Sequence, residues 1–254
     1  MDSAGIFSRQ LSETVQQLKT RLEFEEYFSE DYLPGAKSLV AAQELLAATV
    51  EINPKPEVSI AEDSKKMLAN PLYQKVQTCV LCDLHKTRTN VVFGEGSLDA
   101  ELVFIGEAPG RDEDLQAKPF VGLAGGLLTK IINAMKMNRA DVFITNVLRC
   151  RPPHNRNPLP EEVIYCKPYL IELLNIIKPK VICTLGKFAT HALLDETSPI
   201  SQLRGKLYDF NGMKVIPTYH PAYLLRNPED KKLVWDDMKK ILNVLKADEA
   251  RELY

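Results

Sequence analysis

The chain has 254 residues, of which 45% are hydrophobic and 26% charged, so it can bury a core and is not disordered throughout. Its apolar stretches fall far short of the roughly 18 residues of a membrane span, and its N-terminus lacks the basic and apolar regions of a signal peptide. We therefore expect a soluble, cytoplasmic protein.

The first 70 residues predict an acidic helical extension. Residues 8–29 and 37–50 carry apolar residues at helical spacing, and residues 51–66, with two prolines and many charges, predict a linker. We place a boundary at residue 68, which gives an extension over 1–68 and a main domain over 69–254. The extension is predicted either to dock as a helical pair on that domain or to be a partner-binding arm.

Charge is distributed unevenly between these parts. The whole chain has a net charge of −2, residues 1–70 carry −5, and the remainder therefore carries +3. A near-neutral chain argues against a broadly basic nucleic-acid binder, but here that objection applies mainly to the extension.

The main domain alternates strands with helices. Four short β-branched runs predict strands at residues 102–106, 142–147, 181–186 and 214–220. Helical patterns cover about 122–137, 160–177, 187–194 and 229–247. This alternation predicts a parallel sheet covered by helices on both faces, with ligands bound beyond the carboxyl ends of the strands.

Four of the five cysteines have the spacing of a metal site. Cys79 and Cys82 form a CxxC pair, and Cys150 and Cys166 are separated by fifteen residues. Zinc and an iron–sulfur cluster both accept four thiolates, and spacing alone leaves that choice open. Cys183 lies inside a predicted strand, where it is expected to be a small buried apolar residue.

Candidate ligand-binding residues follow the predicted strands. A turn of sequence GEAPG at 106–110 can present backbone N–H groups to a ligand. Phe120 is either a core residue or a stacking platform for a base. Asn146 either reads the edge of a pyrimidine or caps a loop. His220 is either a structural or a catalytic histidine, and its position at a strand end before a proline favours the catalytic role.

A short proline-flanked segment follows His220. Leu224 and Leu225 are either core residues or wedges that enter a base stack. Arg226 follows them directly, and Arg149, Arg151 and Arg156 flank the motif after the second strand. Arginines in a mildly basic domain predict contacts with DNA phosphates, although each also fits a solvated surface.

These motifs occur in a fixed order that resembles the family 4, iron–sulfur, uracil-DNA glycosylases. The resemblance covers about residues 70–245 and includes CxxC, VVFGEG, GEAPG, KPFVG, RCRPP, the fourth cysteine and YHPAYLLRNP. It implies a three-layer α/β/α fold around a central four-stranded parallel sheet. It also implies a [4Fe–4S] cluster on Cys79, Cys82, Cys150 and Cys166, and uracil-containing DNA as the substrate.

The resemblance also implies roles for individual residues in a uracil pocket. The backbone of Gly106, Glu107 and Ala108 would line the pocket. Phe120 would stack on the flipped base, Asn146 would bond its O4 and N3 edge, and His220 would face O2. Glu113 would belong to the pocket wall or support it from behind. Leu224, Leu225 and Arg226 would fill the gap that the extruded nucleotide leaves.

The reaction implied is hydrolysis of the N-glycosidic bond by a monofunctional enzyme. His220 would stabilise the departing uracil anion. Ala108 stands where related glycosylases carry an aspartate that orients water, so we take Glu107 as the hypothetical water-orienting group. Leu123 stands where the family usually carries a basic residue, which removes one expected phosphate contact. We expect a monomer.

Two other functions compete with this interpretation. A metal-stabilised DNA-binding module would bind DNA without releasing a base. A glycosylase with the same fold could instead act on another damaged base, although Phe120 and Asn146 favour uracil.

Overall fold

The computed structural model describes residues 60–252, with the backbone alone for residues 60–64 and 248–252. The chain divides into two compact units, Met1–Glu57 and Val58–Tyr254, and the second contains all described residues. The helices predicted over 8–29 and 37–50 lie outside the described residues.

One mixed sheet organises the described domain. Its strands are β1 (Glu95–Gly96), β2 (Leu102–Gly106), β3 (Phe143–Asn146), β4 (Val181–Leu185), β5 (Tyr208–Phe210) and β6 (Met213–Thr218). The order across the sheet is β1-β3-β2-β4-β6-β5, with the four central strands parallel and the two outer strands antiparallel. The predicted four-stranded parallel core is confirmed, and the edge strands extend it. Those strands have two and three residues, too few for a recognisable alternating pattern.

Helices cover both faces of the sheet. They are α1 (Ile60–Gln77), α2 (Arg111–Gln116), α3 (Leu123–Ala134), α4 (Pro160–Ile177), α5 (Lys187–Leu194), α6 (Ile200–Leu203), α7 (Pro221–Arg226) and α8 (Lys231–Glu252). One core contains residues of α1, α4 and α5, and the other contains residues of α3, α7 and α8. Val103 faces the first core and Phe104 the second, as the period of two in a strand requires. The predicted three-layer α/β/α fold is confirmed.

The first described helix begins earlier than the sequence indicates. α1 runs through residue 68, where we placed the domain boundary, and its first residues belong to the predicted linker. The apolar residues that bury this helix, Leu72 and Val76, come only after that point. Before it, Lys65 anchors the helix by an ion pair of 2.7 Å with Asp99 and a bond to the Ile177 carbonyl. A lysine anchor is invisible to a search for apolar periodicity.

None of the helices in the described part of the chain is both long and apolar enough to cross a bilayer. The parallel strands instead place their carboxyl ends along one edge of the sheet, where Gly106 lies opposite Asn146. The turns that follow β2, β3 and β6 therefore meet at that edge.

Candidate functional site

A cavity of about 540 Å³ opens at the carboxyl edge of the sheet, which is the size range of small-ligand sites. Its lining comes from the turns after β2, β3 and β6 and from the loop before α3. The lining residues are Glu107, Ala108, Pro109, Gly110, Glu113, Phe120, Ala124, Asn146, Pro152, Asn155, Arg156, His220, Ala222, Tyr223 and Arg226. Sequence segments far apart in the chain thus converge on one cavity, as predicted for the strand ends.

Gly106 lies in close contact with two residues that line this cavity, Phe120 and Asn146. A Cβ atom on Gly106 would lie 2.3 Å from Asn146 Oδ1 and 2.6 Å from the Phe120 ring. Both distances are far inside van der Waals contact, so a side chain at position 106 would displace the ring and the amide. Glycine is required here for space, since it lets an aromatic face and an amide meet at one point.

The Asn146 side chain is buried but keeps its hydrogen-bonding capacity. The residue is 2% exposed and lines the cavity. Elsewhere in the described domain, buried polar side chains such as Thr184 and Asp237 bond to other protein groups. An amide presents an acceptor and two donors in one plane, which matches the edge of a pyrimidine. The amide can therefore bind a planar polar ligand in the cavity.

Phe120 is held in place by its backbone. Its φ of +52° lies in the left-handed region, where a bulky residue is unfavourable. A Cβ on Gly125 would lie 1.9 Å from the Phe120 carbonyl oxygen, so the first turn of helix α3 needs a glycine where it packs against this loop. Arg139 donates to the carbonyl oxygens of Pro119 and Phe120, at 3.0 and 3.4 Å. Sequence reasoning did not select Arg139, because this residue lies in a loop without a motif.

Glu113 supports the same loop from inside the cavity wall. Its Oε1 atom accepts hydrogen bonds from the backbone N–H groups of Val121 and Gly122, at 3.1 and 3.2 Å. The carboxylate thus fixes the chain just after Phe120. The resemblance implied that Glu113 belongs to the pocket wall or supports it from behind. The geometry combines both roles, because Glu113 lines the cavity and also positions Phe120.

His220 has a defined tautomer. Its Nδ1 atom accepts a hydrogen bond of 3.1 Å from the backbone N–H of Ala222, so in the neutral ring the proton is on Nε2. Burial, helped by the positive charge of Arg226, lowers the pKa of His220 to about 4. The imidazole is therefore neutral at physiological pH. Its ring lies 5.6 Å from that of Phe120.

Glu107 is the carboxylate of the cavity with a strongly shifted pKa. Burial raises its pKa to about 7, and the nearby positive charge of Lys187 opposes the shift only in part. Such a group changes its protonation state close to neutral pH, which is typical of a carboxylate that acts in proton transfer or orients water.

The two leucines in the segment after His220 differ in burial. Leu224 is fully buried in the core shared with α3 and α8, so the prediction that it enters a base stack is wrong. Leu225 is 47% exposed, and Arg226 is exposed and lines the cavity. Consecutive positions of a short helix point in different directions, so one leucine faces the core and the next faces solvent.

The remaining arginines also differ in exposure. Arg151 donates to Asn155 at 2.7 Å, and Arg156 pairs with buried Glu162 while lining the cavity. Arg149 is 1% exposed and donates to backbone and hydroxyl oxygens inside the protein. The prediction that Arg149 contacts DNA is therefore wrong.

Four cysteines line a second, small cavity between α1, α4 and the loop after β3. They are the predicted set, Cys79, Cys82, Cys150 and Cys166, all free thiols, whereas Cys183 is buried in a core as expected. Burial raises the pKa of Cys82 and Cys150, and that of Cys166 to about 11. Thiols with raised pKa values are poor nucleophiles, which disfavours a CxxC redox pair.

The arrangement of these thiols bears on the metal. Among the described residues, no three His, Cys, Asp or Glu side chains are placed to hold a single ion. The four thiols nevertheless surround one cavity, and Arg88 donates to the Cys150 sulfur at 3.2 Å. Tetrahedral zinc needs four ligands around one atom, whereas a cluster spreads the same ligands over several. The donor set fits a polynuclear cluster.

One buried network was missed by sequence reasoning. Asp237 is fully buried, accepts a hydrogen bond of 2.7 Å from Thr218 and pairs with Arg204. Thr218 ends β6, two residues before His220. Asp237 lies in the middle of a helix that looks like an ordinary amphipathic one, so its burial could not be inferred.

Comparison with known proteins agrees with these observations. Residues 93–243 match the family model described as the uracil DNA glycosylase superfamily. The chain is 48% identical over 178 residues to a type-4 uracil-DNA glycosylase of Archaeoglobus fulgidus, which covers 67% of this chain and 89% of that protein. It is 43% identical over 189 residues to a type-4 uracil-DNA glycosylase of Thermotoga maritima, covering 73% of this chain and 98% of that protein.

Proposed function

Because this chain belongs to the uracil DNA glycosylase superfamily, we propose that it hydrolyses the N-glycosidic bond of uracil in DNA. The products are free uracil and an abasic site, which makes the protein a hydrolase of base excision repair. The observation that carries this proposal is the convergence of Phe120, Asn146 and His220 on one cavity. That cavity offers a stacking face, an edge-reading amide and an N–H donor.

Recognition of the base begins with its removal from the helix. A uracil inside a duplex hides its glycosidic bond, so the nucleotide has to be extruded at a cost of a few kcal/mol. Stacking on Phe120 and hydrogen bonds to Asn146 offset this cost. The amide can donate to O4 and accept from N3–H of uracil, whereas cytosine reverses both groups, so Asn146 also discriminates between the two bases.

His220 supplies the main stabilisation of the transition state. As the bond breaks, negative charge develops on the uracil ring, and its O2 atom carries part of that charge. The neutral imidazole has its proton on Nε2 and can donate it as a hydrogen bond without transferring it. This bond strengthens as the charge grows, and therefore accelerates the reaction.

Glu107 is our candidate for orienting the attacking water. It lines the cavity directly before Ala108, which has no group able to do so. Its pKa near 7 keeps a substantial fraction ionised at physiological pH. The ionised carboxylate can accept a hydrogen bond from a water molecule next to the sugar.

DNA contacts are proposed for two exposed residues, Leu225 and Arg226, and two half-buried ones, Arg151 and Arg156. Leu225 and Arg226 lie on α7, and Arg151 and Arg156 follow β3. Leu225 would occupy the space of the extruded nucleotide, and the arginines would bind phosphates. Arg156 would have to share its guanidinium with Glu162.

We propose that the four cysteines hold a [4Fe–4S] cluster. The fit rests on the all-thiol donor set and on the shared cavity. When bound, the cluster would supply a covalent cross-link between the segment after α1, the loop after β3 and α4, with no redox step in the reaction. The thiols come from three segments that lie far apart in the chain, which explains the use of a cross-link.

The context of the protein follows from the same features. Five free cysteines suit a reducing compartment, and we place the protein in the cytoplasm. The described site is completed within one chain, so a monomer suffices. Residues before α1 remain proposed as a separate extension, with the division moved from residue 68 to the Glu57–Val58 junction.

The test is incubation with oligonucleotides that differ only in uracil or thymine at one position, followed by alkaline cleavage of abasic sites. We expect cleavage only of the uracil strand, and none with an Asn146→Ala variant. An exposed asparagine on α3 provides the matched control, Asn133→Ala, which should cleave like the unmodified protein. DNA binding without base release would favour the metal-stabilised binding module instead.

A further inference from the structure

Arg149 is a buried cation with incomplete hydrogen bonding. Its Nη1 atom donates to the Phe93 carbonyl oxygen at 2.8 Å and to the Thr145 hydroxyl. Its Nε and Nη2 atoms are buried without a partner, and they are the only such side-chain atoms in the described part of the chain. Because a guanidinium stays charged, burying it in this way is unfavourable unless another group compensates.

Cys150 and Cys166 line the same cavity as this cation, and the guanidinium carbon also lies 5.6 Å from the centre of the Phe93 ring. Cys79 and Cys82 line it as well, so all four thiols share a cavity with Arg149. Neutral thiols do not balance a positive charge, whereas thiolates bound to a cluster do. Arg88, which donates to Cys150, brings a second positive charge to this cavity.

The other end of the Arg149 contact network reaches the uracil site. Thr145, which accepts from the guanidinium, directly precedes Asn146 on β3. Thr145 also donates to the Phe93 carbonyl oxygen at 2.8 Å, so the three groups form a closed triangle. A displacement of the guanidinium would therefore move the strand end that carries the base-reading amide.

We propose that Arg149 is a positioning residue, held by the negative charge of the cysteine-bound cluster and holding Asn146 in place through Thr145. This inference rests on the proposed cluster and goes beyond it. It identifies Arg149 as an electrostatic partner of the cluster and connects the cluster through Thr145 to the base-reading Asn146. Partners behind the ligands of a metal site typically change metal affinity 10- to 100-fold when they are removed.

The experiment compares Arg149→Lys and Arg149→Met with the unmodified protein. Iron and sulfide per chain, release of iron to a chelator and the midpoint potential of the cluster are measured. We expect Arg149→Met to release iron about 10- to 100-fold faster and to have a lower potential. The lysine variant keeps the charge, so its potential should stay close to that of the unmodified protein. Arg204→Met, which removes an arginine paired with Asp237, is the matched control and should leave both cluster properties unchanged.

The uracil side is tested with the same proteins. The lysine side chain is one bond shorter than that of arginine and lacks the planar group that aims Nη1 at Thr145 and Phe93, so Arg149→Lys should lose part of the discrimination between uracil and cytosine while keeping its cluster. If Arg149→Met does not fold, the test rests on Arg149→Lys alone. Unchanged discrimination between uracil and cytosine in Arg149→Lys then overturns the inference. A folded Arg149→Met with unchanged iron release and potential also overturns it. Unmodified protein without iron would instead overturn the cluster proposal.

Discussion

The two cavities of this domain are built on opposite principles. The proposed uracil cavity lies at the rim of the sheet, and backbone contacts within the protein fix its polar groups before any ligand binds. The cysteine cavity is formed by segments distant in the chain and leaves a buried guanidinium partly unpaired. The first site is preorganised, which favours catalysis, whereas the second would be completed by the cluster proposed for it. Substitutions in the first should alter turnover, and substitutions in the second should alter stability.

The largest effect is expected for Asn146→Asp, which tests whether the rim site reads the base. A carboxylate cannot donate to O4 of uracil, so the preference for uracil over cytosine should fall by up to about 10⁴-fold. Single-turnover excision on matched uracil and cytosine strands measures this ratio. Asn133→Asp is the control for the added charge. A ratio unchanged from that of the unmodified protein would remove Asn146 from base recognition.

His220→Leu should lower the single-turnover rate about 100- to 1,000-fold, because it removes one donor to the developing anion. The melting temperature of this variant should stay close to that of the unmodified protein, so the loss of rate is not caused by unfolding. A neutral imidazole with a pKa near 4 further predicts no change of rate around pH 6.5 from this residue. A rate limb at pH 6.5 that disappears in His220→Leu would contradict the assignment of a neutral donor.

Glu107→Gln should lower excision about 100-fold at pH 8. The rate of the unmodified enzyme should rise with pH through about 7 as the carboxylate ionises, and the variant should lack this limb. Near-full activity of the variant would exclude Glu107 from the mechanism.

The same pKa predicts a stability effect of definite sign. Burial raises the pKa of Glu107 in the folded state, so its protonated form stabilises the fold at low pH, and that stability is lost as pH rises through about 7. Glu107→Gln should therefore increase the free energy of unfolding at pH 8 relative to the unmodified protein, and not at pH 4. Denaturant titrations at the two pH values measure the difference.

The smallest effect on turnover is expected for Cys79→Ser, which tests whether the cysteine cavity affects stability and not catalysis. Loss of a cluster ligand should reduce the free energy of unfolding on the order of a few kcal/mol. Excision at a temperature where the variant stays folded should fall less than about tenfold, since no cluster atom takes part in the chemistry. Cys183→Ala, which removes a thiol outside the cavity, should keep the absorbance of the cluster near 400 nm. A Cys79→Ser variant that is stable but inactive would contradict the division between the two cavities.

Much of this organisation could be predicted because it depends on local patterns. The central strands are continuous apolar runs, and the chemistry-bearing residues follow them directly, so Asn146 and His220 could be placed at the sheet edge. The cysteine set was recognisable from its spacing. Each of these signals is carried by neighbouring residues in the sequence.

The rest depends on contacts between distant residues. Arg139 and Glu113 hold the Phe120 loop across gaps that no periodicity reveals. Leu224 and Leu225 are chemically equivalent neighbours, and only the orientation of α7 decides which one is buried. Arg149 looks like a surface cation in the sequence, and its burial depends on the fold of the segment containing Phe93.

Gly106, which lies against Phe120 and Asn146, limits how this enzyme can be redesigned. Even the methyl group of alanine at position 106 would collide with both the stacking ring and the reading amide. Changing which base is accepted therefore has to proceed from the walls, by exchanging Asn146 or enlarging the space around His220. Position 106 itself admits a single amino acid.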